Sequence, residues 1–421
     1  MSSRPSSLSR RDLLRAGAAL GVAPAWLRGL ERRAQDRERV VVCVELNGGN
    51  DGLNTVAPVG DDLYHRARPD LAVTARDGHP LDDHHRWHPS LARTARRFAD
   101  GGVAVVQGVG YPRPNLSHFS SLDVWHSGTR TSPAPATGWL GRLADATVAP
   151  DVETRPAYDP LTLLAIGHDV APHALRAERG MPVAVPSLDR SVIPTAPEGA
   201  GGMEAASRRA VLEALERTSA SRGTGRDARI AAAARAARQA ALDLAVARDF
   251  EPRAEWPDSS LARHLGLVAR VLSKGLPTRF FLVSQRGYDT HAIQGAPHAQ
   301  LLGDLDAALH AFLTELEARE LLDRVLVVTI SDFGRRVAQN GQGAGAGTDH
   351  GAASIQMLFG AGIEPGLHGP PADLERLDEN GNLRHLVDFR EVYAGVIGGW
   401  LGADPKAVLG DSFRPHPALR S

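Results

Sequence analysis

The sequence predicts an α/β protein: a doubly wound, mostly parallel sheet with helices on both faces. Two observations predict it. Continuous apolar runs rich in β-branched residues recur along the chain, as in VVVCVEL at 40–46, VAVVQGV at 103–109 and RVLVVTIS at 324–331. Strands covered on both faces lose the apolar–polar alternation of a half-exposed strand. These runs also alternate with stretches of helical periodicity, which is the pattern of β-α units. A length of 421 residues is within reach of one such domain.

Residues 1–36 are set apart as an address and linker. SRRDLL at 9–14 precedes a modest apolar stretch that Arg28 interrupts. Paired arginines before such a stretch are the twin-arginine export pattern, and the run is too short to span a bilayer. The expectation is export to the periplasm or beyond, with the twin-arginine translocation machinery as partner. No membrane span is expected in the mature chain, and residues 37–421 form one domain.

Each element then has its own signal. The strand at 40–46 ends in NGGNDG, a turn sequence. A helix is expected over 88–99, entered through the polar loop DDHHRWHP at 82–89, and the next strand over 103–109. A short helix follows at 139–144 and a third strand at 161–167. Residues 203–250, dominated by Ala and Arg, predict a helical insertion broken by SASRGTG. A helix over 259–273, with Asp258 as its cap, stops at Gly275. The strand at 278–284, a long helix over 298–320 and the strand at 324–331 come next. The glycine-rich stretch at 341–351 reads as a mobile flap, followed by a strand at 354–360 and a last helix over 389–401.

Composition excludes some functions. With 48 basic and 49 acidic side chains the net charge is -1, so no basic field attracts nucleic acid. Cys43, the single cysteine, lies inside the first apolar run, which marks a buried strand residue and not a nucleophile.

In open α/β sheets ligands bind at the carboxyl ends of the strands. The first strand is followed by Asn50 and Asp51, and the second by Asn115, Ser117 and His118. After the strand at 278–284 come Asp289 and His291; after that at 324–331 come Asp332 and Arg335, then Asp349 and His350. Carboxylates and imidazoles gathered at several strand ends are the donors that divalent metals take. Pro112 and Pro114 delay the helix that follows, which puts Ser117 at its start, where free backbone N–H groups favour an anion.

Several of these stretches carry a resemblance. The twin-arginine start, LNGGNDGLN, SHFSSLDVW, GWLGR, YDTH, SDFGR and TDHG are similar to the bacterial family catalogued as domain of unknown function 1501. That family looks like a branch of the alkaline phosphatase and sulfatase superfamily, so the resemblance implies an alkaline-phosphatase-like domain. It also implies an order of site residues: an Asp after the first strand, a nucleophile at a helix start, Asp with His, then Asp-His, then a late His. Asp51, Ser117, Asp289 with His291, Asp332 and His350 follow that order, except that Phe333 stands where the pattern places a His. One metal position, with Asp289, His291 and His350, is better supported than a second with Asp51 and Asp332, where His118 is the candidate replacement ligand.

The resemblance thus implies a hydrolase of phosphate or sulfate esters, with Ser117 as nucleophile and a small anionic ester as substrate. The divalent metal would be zinc, with manganese, magnesium or calcium as alternatives. Asn50, Asn115, His118 and Arg335 are candidates to hold substrate or support the ligands. The competing expectation is a non-catalytic exported protein that keeps the scaffold for binding or assembly.

Overall fold

The computed structural model describes residues 38–130, 134–147, 158–186 and 249–420, with Ala240, Asp243, Leu244 and Ala247. The proposed export segment and nearly all of the insertion expected at 203–250 lie outside the described residues.

Nine strands form one sheet: β1 (Val40–Asn47), β2 (Val103–Gly110), β3 (Leu163–Ile166), β4 (Val183–Val185), β5 (Phe280–Arg286), β6 (Val325–Ser331), β7 (Ser354–Gly360), β8 (Gly366–His368) and β9 (Val387–Asp388). Their order is β8-β2-β7-β6-β1-β5-β3-β4, with β9 beside the end of β2. β1 pairs in parallel with both β5 and β6, so Val41 faces Phe280 on one side and Leu326 on the other. β7 runs against both of its neighbours.

The apolar strands are buried on both faces, as their composition requires. Val40, Val42, Val44 and Leu46 enter one core with the helices α3 (Ala92–Ala99), α6 (Ser260–Ser273) and α7 (Gly295–Ala318). The alternate residues Val41 and Cys43 enter the opposite core. That core also holds α4 (His118–Ser127), α5 (Trp139–Thr147), α8 (Phe389–Ala394) and α9 (Pro405–Leu409). Burial raises the Cys43 thiol well above its usual range, and Glu45 adds to the effect, so Cys43 is a packed strand residue. A smaller cluster surrounds α1 (Gly52–Thr55) and α2 (Asp62–Ala67).

Four local expectations are corrected. The helix expected from 88 begins at Ala92, because Arg86–Trp87 pairs as a strand with Val56–Ala57 and His79–Pro80. Ser259, not Asp258, caps α6, its hydroxyl accepting from the Ala262 amide. The last helix leaves α-geometry after Ala394 and continues as a π-turn over Gly395–Trp400. The stretch expected as a free flap is tied down by backbone bonds from Ile293 to Gly345, Gln294 to Ala346 and Thr348 to Thr290. Among the described residues no helix is long and apolar enough to cross a membrane.

Candidate metal centre

The parallel strands β1, β5 and β6 all deliver their following loops to one edge. β7 is antiparallel, so its start lies at that same edge. The loop entering β7 therefore returns to where β6 ended. There Gly334–Arg335 pairs with His350–Gly351, and Arg335 stands opposite His350. Asp289 and His291 come from the turn after β5, Asp332 directly follows β6, and His118 is the first residue of α4.

Four side chains converge. Oδ1 of Asp289 lies 3.1 Å from Nε2 of His291 and 3.1 Å from Nε2 of His350. Those two imidazole nitrogens are 2.9 Å apart. Nε2 of His118 stands 3.4 Å from the other Asp289 oxygen, and it is buried without a hydrogen bond. Donor atoms of His118, Asp289 and His350 all lie within 4.8 Å of one another.

The far nitrogen of each ring explains this arrangement. Nδ1 of His118 meets Asp332 at 2.5 Å, Nδ1 of His291 meets Asp349 at 3.0 Å, and Nδ1 of His350 meets the Leu116 carbonyl at 2.7 Å. Each acceptor requires the proton on Nδ1. A neutral ring then turns the lone pair of Nε2 toward Asp289. Three lone pairs and a carboxylate facing one another repel unless a cation lies among them. Oxygen acceptors that orient the far nitrogen of a ligating histidine are the usual support of a metal site.

The support continues outward. Asp332 is fully buried and also accepts from the amides of Gly48 and Gly49, at 3.2 and 2.5 Å. The Phe333 ring packs against the His118 and His350 rings, at centroid distances of 4.7 and 4.4 Å. Phe333 thus backs two imidazoles from the position where a His was expected. Partial burial opposes ionisation of Asp289, but the hydrogen bond from Arg335 and the Arg335 charge outweigh it and hold the carboxyl at about 2.

Arg335 does not reach toward a ligand. Its guanidinium is buried and donates to the carbonyls of Gly48, Gly49, Tyr288 and Thr348, and to Asp289 at 2.8 Å. It clamps the loops after β1, β5 and β6 together.

Asp51 is likewise turned away from the cluster. One oxygen accepts from Arg68 at 2.6 Å and from Gln294 at 2.5 Å, and the other caps α1 through the Asn54 amide. Burial would raise the Asp51 carboxyl, yet the charges of Arg68 and His298 and the bonds from Arg68 and Gln294 bring it below the usual range. The structure gives Asp51 a guanidinium as its counter-ion. Asn50 is buried in the same network, between Thr55 and His298.

Ser117 is exposed at the N-cap of α4, and its hydroxyl makes no capping bond. It adjoins the cluster through Leu116, whose carbonyl holds His350. Asn115 turns the chain there, its side-chain oxygen accepting from the Ser117 amide at 3.1 Å.

The family described as "Protein of unknown function (DUF1501)" matches residues 89–376, and the chain belongs to it. No curated protein matches the chain. Among solved structures it is similar to the PsFucS1 sulfatase from Pseudoalteromonas sp., with a TM-score of 0.38 and 12% identity over 96% of this chain and 77% of that one. It is also similar to an alkaline phosphatase from the Antarctic bacterium TAB5, with a TM-score of 0.32 and 13% identity over 77% of this chain and 92% of that one. A protein in the alkaline phosphatase superfamily from Vibrio parahaemolyticus gives a TM-score of 0.36 and 10% identity over 89% and 70%. Overlaps this loose carry no chemistry, which rests on the side chains above.

Proposed function

We propose that this member of the DUF1501 family is an exported, metal-dependent hydrolase acting on phosphate or sulfate esters. The observation that carries the reading is the set of three Nε2 lone pairs, each fixed by an acceptor on the far nitrogen, turned toward the Asp289 carboxylate. The separations from Asp289 to the three imidazoles and between His291 and His350, 2.9 to 3.4 Å, are those of neighbouring donors on one ion, since bonds of about 2.0–2.1 Å put neighbouring tetrahedral donors about 3.3 Å apart. Three imidazoles favour zinc or a similar transition metal over magnesium or calcium, which prefer oxygen. Asp289, His118, His291 and His350 would hold one ion, and Asp51 has no part in it.

A divalent ion bound there would polarise the ester and offset charge developing on its oxygens. Ser117 is the candidate nucleophile because its hydroxyl is uncommitted and exposed beside the cluster. The first free amides of α4 would receive the anion. SRRDLL and the short apolar run behind it support twin-arginine export of the chain.

One observation favours the non-catalytic alternative, a binding or assembly protein. The two arginines buried behind the cluster, Arg68 and Arg335, donate to protein acceptors through every nitrogen, which leaves neither to hold an ester anion.

Metal content decides the first question. Protein purified from its own host should carry a transition metal measurable by elemental analysis. His118→Ala should lose it, with a drop in affinity beyond the roughly 10–100-fold that loss of an outer partner costs. Ser117→Ala should keep the metal and lose hydrolysis of p-nitrophenyl phosphate or sulfate. A folded wild type that binds no transition metal on reconstitution sinks the reading. One that binds metal but cleaves neither ester moves it to the binding protein.

A further inference from the structure

A tetrahedral ion held by four side chains is closed, whereas a metal that polarises an ester keeps one position for it. Asp289, His118, His291 and His350 together fill four positions. The hydrolase reading therefore requires that one of them give way.

Three of the four are held from behind. Asp289 accepts from the buried Arg335 guanidinium at 2.8 Å. The His118 ring is tied to Asp332, which is fully buried, and the His350 ring to the backbone carbonyl of Leu116. Phe333 packs on both rings. Nε2 of His118 is buried with no hydrogen bond, so parting from a cation would strand it in a dry place.

His291 lacks these supports. Its side chain is 45% exposed, against 28% for His118 and 21% for His350. Its acceptor Asp349 is itself partly exposed and is shared with Asn340 at 2.9 Å. Among the described residues no ring but that of His350 packs against it. Turned outward, its Nε2 would meet water, which replaces the lost partner. The backbone cannot follow, because Gly347 lies so close to the His291 carbonyl that a Cβ there would come to 2.3 Å. Release is therefore a rotation of the side chain alone.

We propose that His291 is the displaceable ligand of this centre. It gives up its place to an incoming anion and turns out to solvent as a neutral imidazole, with the Nε2 lone pair free and the proton still on Nδ1. One donor leaves as another arrives, and no proton moves. The proposal rests on the metal centre of the hydrolase reading and not on its ester chemistry.

Azide is the probe, a small anion that binds transition metals and is no ester. It is titrated into the cobalt-loaded mature chain and followed by the visible absorption of the ion. With the competing imidazole gone, azide should bind His291→Ala about tenfold more tightly than wild type, or better. Asp349→Ala, which frees the ring without removing it, should move azide affinity the same way by less. Cobalt affinity should fall by at most about 100-fold in His291→Ala, the loss that an outer partner costs, and by more in His118→Ala and His350→Ala. Equal azide affinity in wild type and His291→Ala overturns the proposal, because a position would then be added and none vacated. So does His291→Ala losing cobalt as completely as His118→Ala. If azide binds more tightly to His291→Ala but the wild type cleaves neither p-nitrophenyl phosphate nor p-nitrophenyl sulfate, the displaceable ligand stands and the hydrolase reading falls.

Discussion

Replacing Arg68 with Met tests whether Asp51 depends on a protein cation. Both side chains are buried, at 0% and 1% exposure. The guanidinium donates to Asp51 at 2.6 Å, and to Asn54, the Val337 carbonyl and the Arg336 carbonyl at 2.8 Å each. Methionine fills part of the space and leaves a buried carboxylate with only Gln294 and the Asn54 amide as donors. Removing one partner of a buried pair costs about 3–5 kcal/mol, and the stranded carbonyls push the total toward the upper end. Urea unfolding of the mature chain, followed by circular dichroism and tryptophan fluorescence, should show that loss. Asp51→Asn in the Arg68→Met background should return part of it, because the uncompensated charge is gone. A loss below about 1 kcal/mol refutes the reasoning, since Asp51 would then be solvated or neutral without Arg68. So would zinc stabilising the Arg68→Met protein in proportion to the loss, because Asp51 would then be acting as a metal ligand.

Three further outcomes follow from the same geometry. Burial holds His298 at about 3 despite the nearby Asp51 charge, so between that value and about 6.5 the unfolded chain binds the extra proton and stability falls as pH falls; His298→Gln should flatten the stability profile over that window by about one proton. Gly48 has φ +117 and would bring a Cβ to 2.5 Å from the Asp289 amide, so Gly48→Ala should weaken zinc binding by displacing Asp289, and unchanged affinity would show the turn is not what places it. Arg10→Lys with Arg11→Lys should leave the protein in the cytoplasm on cell fractionation, and a double variant still found in the periplasm would reject the twin-arginine reading.

The sheet was legible because its strands are covered twice, and runs such as 40–46 and 324–331 cannot be stable in water. The direction of β7 was not legible, because an apolar run reads the same forward and backward. That direction is what brings His350 to the edge holding Asp289. His118 was legible only as a supporting residue and as a replacement ligand for the second metal position with Asp51 and Asp332; its place beside Asp289 was not, because its tie to Asp332 spans distant parts of the chain. Asp51 matched an expected order, and nothing in its spacing showed that Arg68 would neutralise it. Asp349 followed a glycine-rich loop and was noted, but that it orients His291 is a property of the folded turn.

The pairing of Gly334–Arg335 with His350–Gly351 makes the segment between them a closed excursion, leaving the sheet edge and returning to it without crossing the sheet. Its tip, residues 341–344, is exposed and lies ahead of the Gly345 carbonyl that Ile293 holds. Chain added at the tip would shift neither anchor, whereas one residue added between Asp289 and His291 would turn His291 away from its partners. The scaffold therefore separates two kinds of inheritance. Length is free to drift at the tip, where new surface can be acquired, and it is frozen at the turn, where one insertion would dismantle the four-residue cluster.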